Sequence, residues 1–268
     1  MARTFDGTND QIAFGSEAAI DDVAPWTAVA LVRITGNVTD ERQIINKMNS
    51  SYTGTMYISA SGGGGNNNKI FCLRSGSTAL FAESAVNALV VNTWRVIITS
   101  WDGALASTYP KIYACDLGGD IAELSYVSQS VLSGAYTDAA STLRIGARDP
   151  ADATFFAGGL AECAIWNRVL TADEMRALGK GFAPAFFPRG RVFYCPITGR
   201  YSTEPNWAGT AHGTVTEASY LEHPCVIYPV ANVPLARPSG GGSPPPPPVG
   251  RISHATTRSL TRVIGRAL

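Results

Sequence analysis

The sequence predicts an all-β fold, a two-sheet antiparallel sandwich with one short helix and an extended C-terminal arm. Three observations predict it. Glycine (27) and proline (16) are frequent and interrupt short runs rich in Val, Ile, Thr and aromatic residues, as strands joined by turns do. Several of these runs alternate between apolar and polar residues, the period of a half-buried sheet. With 45% hydrophobic and only 16% charged residues, the 268-residue chain has enough apolar material for one sizeable core and is far from the signature of disorder.

In chain order, the strand candidates are residues 26–34, 56–59, 70–74, 94–101, 112–115, 143–146 and 160–166. Within 94–101, Trp94, Val96 and Ile98 share one face, while Arg95 and Thr99 point to the other. So many short strands in succession suggest a sandwich. Asp6-Gly7 and Asp102-Gly103 are turn dipeptides. Residues 61–68, Ser-Gly-Gly-Gly-Gly-Asn-Asn-Asn, form a polar hairpin loop. Neither G-x-G-x-x-G nor a G-K-[ST] ending is present and no helix pattern follows, so a phosphate cradle is not indicated.

The one clear helix is 171–178. Thr171 and Glu174 make a Thr-x-x-Glu capping box, Leu170 and Met175 a hydrophobic staple, and Gly179 stands at the expected terminus. Residues 191–196 are a further strand candidate, and 225–228 a further run. The expected organisation is a sandwich over 1–189, a C-terminal extension over 190–237, a Gly/Pro-rich linker over 238–249 and a basic tail over 250–268. The five linker prolines prefer polyproline II, a spacer of about 15 Å at ~3.1 Å per residue. In the tail, Arg258, Arg262 and Arg266 form one helical stripe and Leu260, Val263, Ile264 and Leu268 another, with Arg251 preceding them. This segment reads equally as a docking helix or as a disordered basic end.

Lys plus Arg equals Asp plus Glu at 21 each, so no overall field recommends nucleic acid or a membrane as partner. The first ten residues lack the pattern of a secretory signal and no run approaches a membrane span, so the chain is expected to be soluble and not exported. Cys72, Cys115, Cys163, Cys195 and Cys225 are scattered without a C-x-x-C pair and are expected to be buried thiols. His212, His223 and His254 stand alone, and neither H-E-x-x-H nor G-x-S-x-G occurs, so no enzyme is expected.

Six segments in order carry a resemblance: Phe5-Asp-Gly-Thr-Asn-Asp10-Gln-Ile12, residues 26–32, Gln43-Ile-Ile-Asn-Lys47, Trp94-Arg-Val through Trp101-Asp-Gly103, Leu143-Arg-Ile-Gly146, and Phe156-Ala-Gly-Gly-Leu-Ala-Glu162 with its continuation to Met175. Together they resemble the laminin G-like or concanavalin A-like jelly rolls, in the form found in phage virion surface proteins. The resemblance covers about the first 180 residues. In many relatives, segments like 192–199 and 212–216 precede the Phe-Asp-Gly strand, whereas here they follow the helix. This circularly shifted order implies a return strand, or one swapped into a neighbouring subunit.

The resemblance implies a choice of sites. Glucanases of this fold use an E-x-D-x-x-E strand, and here no Glu has Asp two residues on. Glu162 is the one carboxylate in a strongly strand-like segment and is expected to share a face with Leu160, Ala164 and Trp166, as a hydrogen-bonded brace. Calcium occurs in some relatives, and Asp10 and Glu162 are the candidate ligands; no other cofactor is implied. Tyr52, Tyr57, Tyr109 and Trp207 are candidates for stacking on sugar rings.

The function implied is a non-enzymatic virion structural protein, a capsid decoration or cement protein at the virion surface. It would be a homo-oligomer bound to the major capsid protein or other virion proteins through Arg251, Arg258, Leu260, Arg262, Val263, Ile264, Arg266 and Leu268. The alternative is a carbohydrate-binding, lectin-like module on a phage tail or in a cell, with polysaccharide as its partner.

Overall fold

The computed structural model describes residues 2–47, 55–61, 68–75, 79–85, 87–104, 107–131, 137–139, 141–148 and 154–229. In chain order the first strands are β1 (Ala2–Asp6), β2 (Gln11–Gly15), β3 (Trp26–Ile34), β4 (Arg42–Lys47), β5 (Thr55–Ser61) and β6 (Lys69–Ser75). There follow β7 (Leu80–Ser84), β8 (Arg95–Trp101), β9 (Lys111–Asp116), β10 (Ala122–Glu123), β11 (Tyr126–Ser130) and β12 (Leu143–Ile145). The last are β13 (Ala157–Trp166), β14 (Arg191–Cys195), β15 (Thr203–Glu204), β16 (Gly213–Thr216) and β17 (Ser219–Leu221), with helix α1 (Ala172–Gly179) between β13 and β14.

These strands form two antiparallel sheets, the jelly-roll sandwich expected from the sequence. The first runs β10-β9-β8-β3-β13-β1-β17 with β14 also on β13, and the second runs β11-β7-β6-β5-β4-β12-β2-β16-β15. The core between them is filled from the first sheet by Phe5, Trp26, Val32, Ile97, Trp101 and Ile165, and from the second by Ile12, Phe14, Ile45, Ile58 and Ile70. Trp26 to Ile34 reads as a nearly continuous apolar run because β3 is central and covered on both faces.

Residues 191–221 complete both sheets within one chain. β14 continues the line of β1 along one edge of β13, with Arg3 opposite Leu160 and Cys195 opposite Cys163. β17 pairs with β1, and the β15–β16 hairpin pairs with β2. Buried Arg3 fastens the join, donating from Nε to Glu204 at 2.6 Å and from a terminal nitrogen to the Ala218 carbonyl. At one end of the sandwich, fully buried Lys47 and Arg74 converge on Asp138, with Lys47 Nζ 2.8 Å from its Oδ1. Buried charges persist only when paired in this way.

Several expectations are corrected. The further run at 225–228 joins neither sheet and makes an isolated bridge, Phe182 to Ile227. The helix is capped as expected at Thr171, with both arms of the capping box formed, but Gly179 is its last helical residue and Lys180 the C-cap. Gly179 packs closely, since a Cβ there would lie 3.1 Å from Ile121 and 3.2 Å from the Cys115 sulfur. The left-handed turn falls at Gly181, φ +90°. Cys72, Cys115, Cys163 and Cys195 are buried thiols, and burial pushes Cys72 up to about 12, but Cys225 is exposed. The linker and tail, with all eight tail residues named above, lie outside the described residues, as do residues 62–67 of the tetraglycine loop.

Candidate functional site

The outer face of the first sheet holds the candidate site. Its apolar rows, Val29 and Leu31 of β3 with Val96 and Ile98 of β8, are covered by Met175 and Leu178 of α1. α1 is fixed at its start by Arg168, whose guanidinium grips both Glu174 oxygens at 2.6 and 2.7 Å. Arg168 thereby lowers the Glu174 carboxyl to about 2.

Beside the helix, residues 222–228 cross the same face. Ile227 exchanges backbone bonds with residues 181 and 183, and Val226 packs on the apolar rows. Beneath this segment lies Glu162. A β-bulge between Ala161 and Ala164 changes the alternation of β13, with Glu162 at φ +53°. Leu160, Cys163 and Ile165 consequently face the core between the sheets, whereas Ala161, Ala164 and Trp166 face outward. The shared face expected for Leu160, Ala164 and Trp166 is therefore interrupted.

Glu162 is 1% exposed and fully engaged. Tyr194 donates to Oε2 at 2.7 Å, and Tyr228 and His223 donate to Oε1, His223 at 3.0 Å. The other ring nitrogen of His223 faces the Pro224 carbonyl at 2.7 Å. Carbonyl and carboxylate oxygens only accept, so each of these two contacts is a hydrogen bond when the facing ring nitrogen carries its proton. Burial, with the Glu162 charge adjacent, keeps the Tyr194 and Tyr228 hydroxyls protonated well above the usual tyrosine range. His223 thus does not stand alone: its partner lies 61 positions earlier, a separation no local motif reveals.

Of the two calcium candidates, Glu162 is thus engaged by side chains of the chain itself. Asp10 accepts the Asp6 N–H at 2.8 Å, and burial raises its carboxyl above the usual range. Asp6 pairs with Ala157, and Glu162 stands five residues farther along β13, roughly 16 Å at ~3.3 Å per residue. Among the described residues, no group of three or more His, Cys, Asp or Glu is placed to hold a metal.

Beyond the start of α1 the same face is open. A cleft of about 530 Å³ is lined there by Ser100 and Trp101 of β8, Lys111 and Tyr113 of β9, Glu123, Tyr126, Gln129, Val169 and the loop residues Asp102, Ser107, Thr108 and Tyr109. The volume falls in the usual range of small-molecule sites, roughly 300–1,000 Å³. Alternation on β9 aims Lys111 and Tyr113 outward while Ile112 and Ala114 fill the core. Gly103, at φ +84° with Pro25 only 3.2 Å from where a Cβ would sit, turns the chain into the loop. Asp102 then organises that loop, accepting from Ala104 N–H and the Thr108 hydroxyl, and these bonds lower its carboxyl below the usual range.

On the opposite wall Lys111 pairs with Glu123 at 3.1 Å, and the Tyr126 hydroxyl donates to Glu123 while accepting the Ile112 N–H, both at 3.0 Å. Burial raises Tyr113 and Tyr126, so both hydroxyls remain protonated donors. Tyr109 is 50% exposed at the rim. An aromatic platform beside hydroxyl, amide, ammonium and carboxylate groups suits a polyhydroxylated ligand with an apolar face.

Of the stacking candidates, Tyr109 alone joins this cleft. Trp207 is half-exposed elsewhere, edge-on to Tyr194 at 5.5 Å; Tyr52 and the Tyr57 side chain lie outside the described residues. Sequence reasoning missed Lys111 and Tyr113, for which the outward positions of β9 were the available signal, and Glu123 and Tyr126, which stand on the neighbouring short strands β10 and β11.

No family model and no curated protein matches this sequence. Among solved structures, the chain is similar to a candidate carbohydrate-binding protein from Bacteroides ovatus, with 15% identity, a TM-score of 0.53, and coverage of 81% of this chain and 58% of that one. Thus it spans less than two thirds of that protein. A heptameric SAP-like pentraxin from Limulus polyphemus is similar at 11% identity and a TM-score of 0.45, over 66% of this chain and 81% of that one. Tailspike protein 2 of Escherichia coli O157:H7 bacteriophage CAB120 is similar at 11% identity and a TM-score of 0.46, over 73% and 30%. At these identities the likeness is one of fold, the concanavalin A-like jelly-roll sandwich.

Proposed function

We propose that this chain is a non-catalytic carbohydrate-binding module that seats a polysaccharide in the cleft beside α1. The carrying observation is that one end of the outer face is left open, with half-exposed Tyr109 facing Tyr113, Lys111 and Glu123. A sugar ring presents an apolar face to an aromatic platform and hydroxyls to polar groups at its edge. Binding is favoured over hydrolysis because a glycosidase needs one carboxyl held protonated, whereas Asp102 is shifted the other way. The similarity to the Bacteroides ovatus protein agrees with this reading at the level of fold. Affinity electrophoresis of wild type and Tyr109→Ala through polysaccharide-containing gels tests it. Retardation of the wild type, lost in the variant, is expected; equal migration of both in every gel contradicts the site.

The C-terminal arm favours a second, compatible role. Its proline-rich sequence and the basic and apolar residues that follow, Arg258, Arg262 and Arg266 with Leu260, Val263, Ile264 and Leu268, suit attachment to a larger assembly such as a phage particle. On that reading the module decorates a virion, in the capsid or the tail. Removing 238–268 should release it from particles and leave glycan binding intact; retention on particles contradicts the arm as the attachment.

A further inference from the structure

We infer that the cleft selects by charge, taking uncharged saccharide chains and rejecting those that carry carboxylate or sulfate groups. The inference rests on the carbohydrate reading and concerns the class of ligand that site admits. Among the described lining residues the charged groups are Asp102, Glu123 and Lys111. Carboxylates therefore outnumber cations.

The single cation is already committed. Lys111 Nζ lies 3.1 Å from Glu123 Oε2, and the other Glu123 oxygen is held by the Tyr126 hydroxyl, so the pair is oriented from both sides. An anionic sugar would have to displace Glu123 from Lys111 and would still face Asp102. Asp102 cannot easily yield, because its carboxylate holds the loop through Ala104 and Thr108. Protonating it would break the charge-assisted bonds that shape the rim.

An uncharged chain meets no such penalty. The Tyr113 hydroxyl and the Gln129 amide face the same cleft as Asp102 and Glu123, which together supply donors and acceptors for sugar hydroxyls. Discrimination of this kind comes from like-charge juxtaposition against the wrong ligand more than from added attraction for the right one. Two predictions separate the roles of the carboxylates. Glu123→Gln frees Lys111 and should admit uronates, and Asp102→Asn should do so to a lesser degree because it also loosens the loop.

Isothermal titration of the full-length protein at low salt tests the inference. The uncharged probes are laminarin, galactomannan and cellohexaose; the acidic probes are polygalacturonate, alginate and hyaluronan. Binding of at least one uncharged probe is expected, with acidic probes weaker by about tenfold or more and the gap narrowed in Glu123→Gln. Acidic probes bound as tightly as uncharged ones, and dependent on Tyr109, overturn charge selection while leaving the carbohydrate reading in place. Binding of no probe overturns that reading and this inference with it.

Discussion

Two regions of the first sheet's outer face are built on the same strands and finished in opposite ways. Over β3, β8 and β13, helix α1 and residues 222–228 seal the surface, and the buried carboxylate beneath them, Glu162, is bonded to Tyr194, Tyr228 and His223. Toward the Trp101 end of β8 and the Lys111 end of β9 nothing described lies across the face, and Tyr109, Lys111 and Glu123 are exposed. On the proposed reading, the titratable cluster is not the working surface of this molecule. Both clusters have polar atoms matched within the chain, but those of the open one stay in contact with solvent, where a ligand can reach them.

Substitutions should break this contrast in order of size. Glu162→Ala removes the shared acceptor of the Tyr194 and Tyr228 hydroxyls and of one His223 ring nitrogen, and should cost about 3 kcal/mol in denaturant unfolding. Glycan affinity of the remaining folded protein should not change; a fall in affinity at unchanged stability would move the site to the sealed half. Tyr109→Ala should do the reverse, lowering affinity about tenfold, near 1.4 kcal/mol, with the same melting temperature.

Smaller effects sharpen the boundary between the two halves. Glu174 has its carboxyl lowered from an ordinary 4.5 to about 2 when folded, chiefly by Arg168. As pH falls, the unfolded chain takes up this proton first, so the stabilisation is complete above about 4.5 and is lost toward about 2. Glu174→Gln should cost about 1 kcal/mol near neutral pH and flatten that part of the pH–stability curve, as followed by thermal melts. Trp207→Ala should be smallest: it removes an edge contact with Tyr194 outside the cleft, so calorimetric affinity should match wild type.

The sandwich itself was legible because its long strands carry their period openly. β3, β8 and β13 are nine, seven and ten residues long, and Thr171 with Glu174 marks the helix start by chemistry that acts within four residues. Strands of two or three residues such as β10, β15 and β17 hold no measurable period and exist because longer neighbours pair with them. The bulge at Glu162 was hidden for a related reason, since it is set by where β1 ends and β14 begins along β13. The site was less legible than the fold. Trp101-Asp-Gly103 reads locally as a turn, and only the tertiary position of α1 decides that Tyr109 and Tyr113 border a space while Trp94 and Val96 lie against packed neighbours. The His223–Glu162 pair, assembled from distant segments, had no local signature at all.

The central claim is that the open end of this face, and not the sealed cluster, receives ligand. The most direct test is mapping of backbone amide shifts in isotope-labelled protein during titration with the uncharged oligosaccharide that binds best. The account predicts changes concentrated at residues 100–104, 107–113, 123 and 126–129. Changes concentrated at 162, 194 and 222–228, or on the outer face of the second sheet, would contradict it.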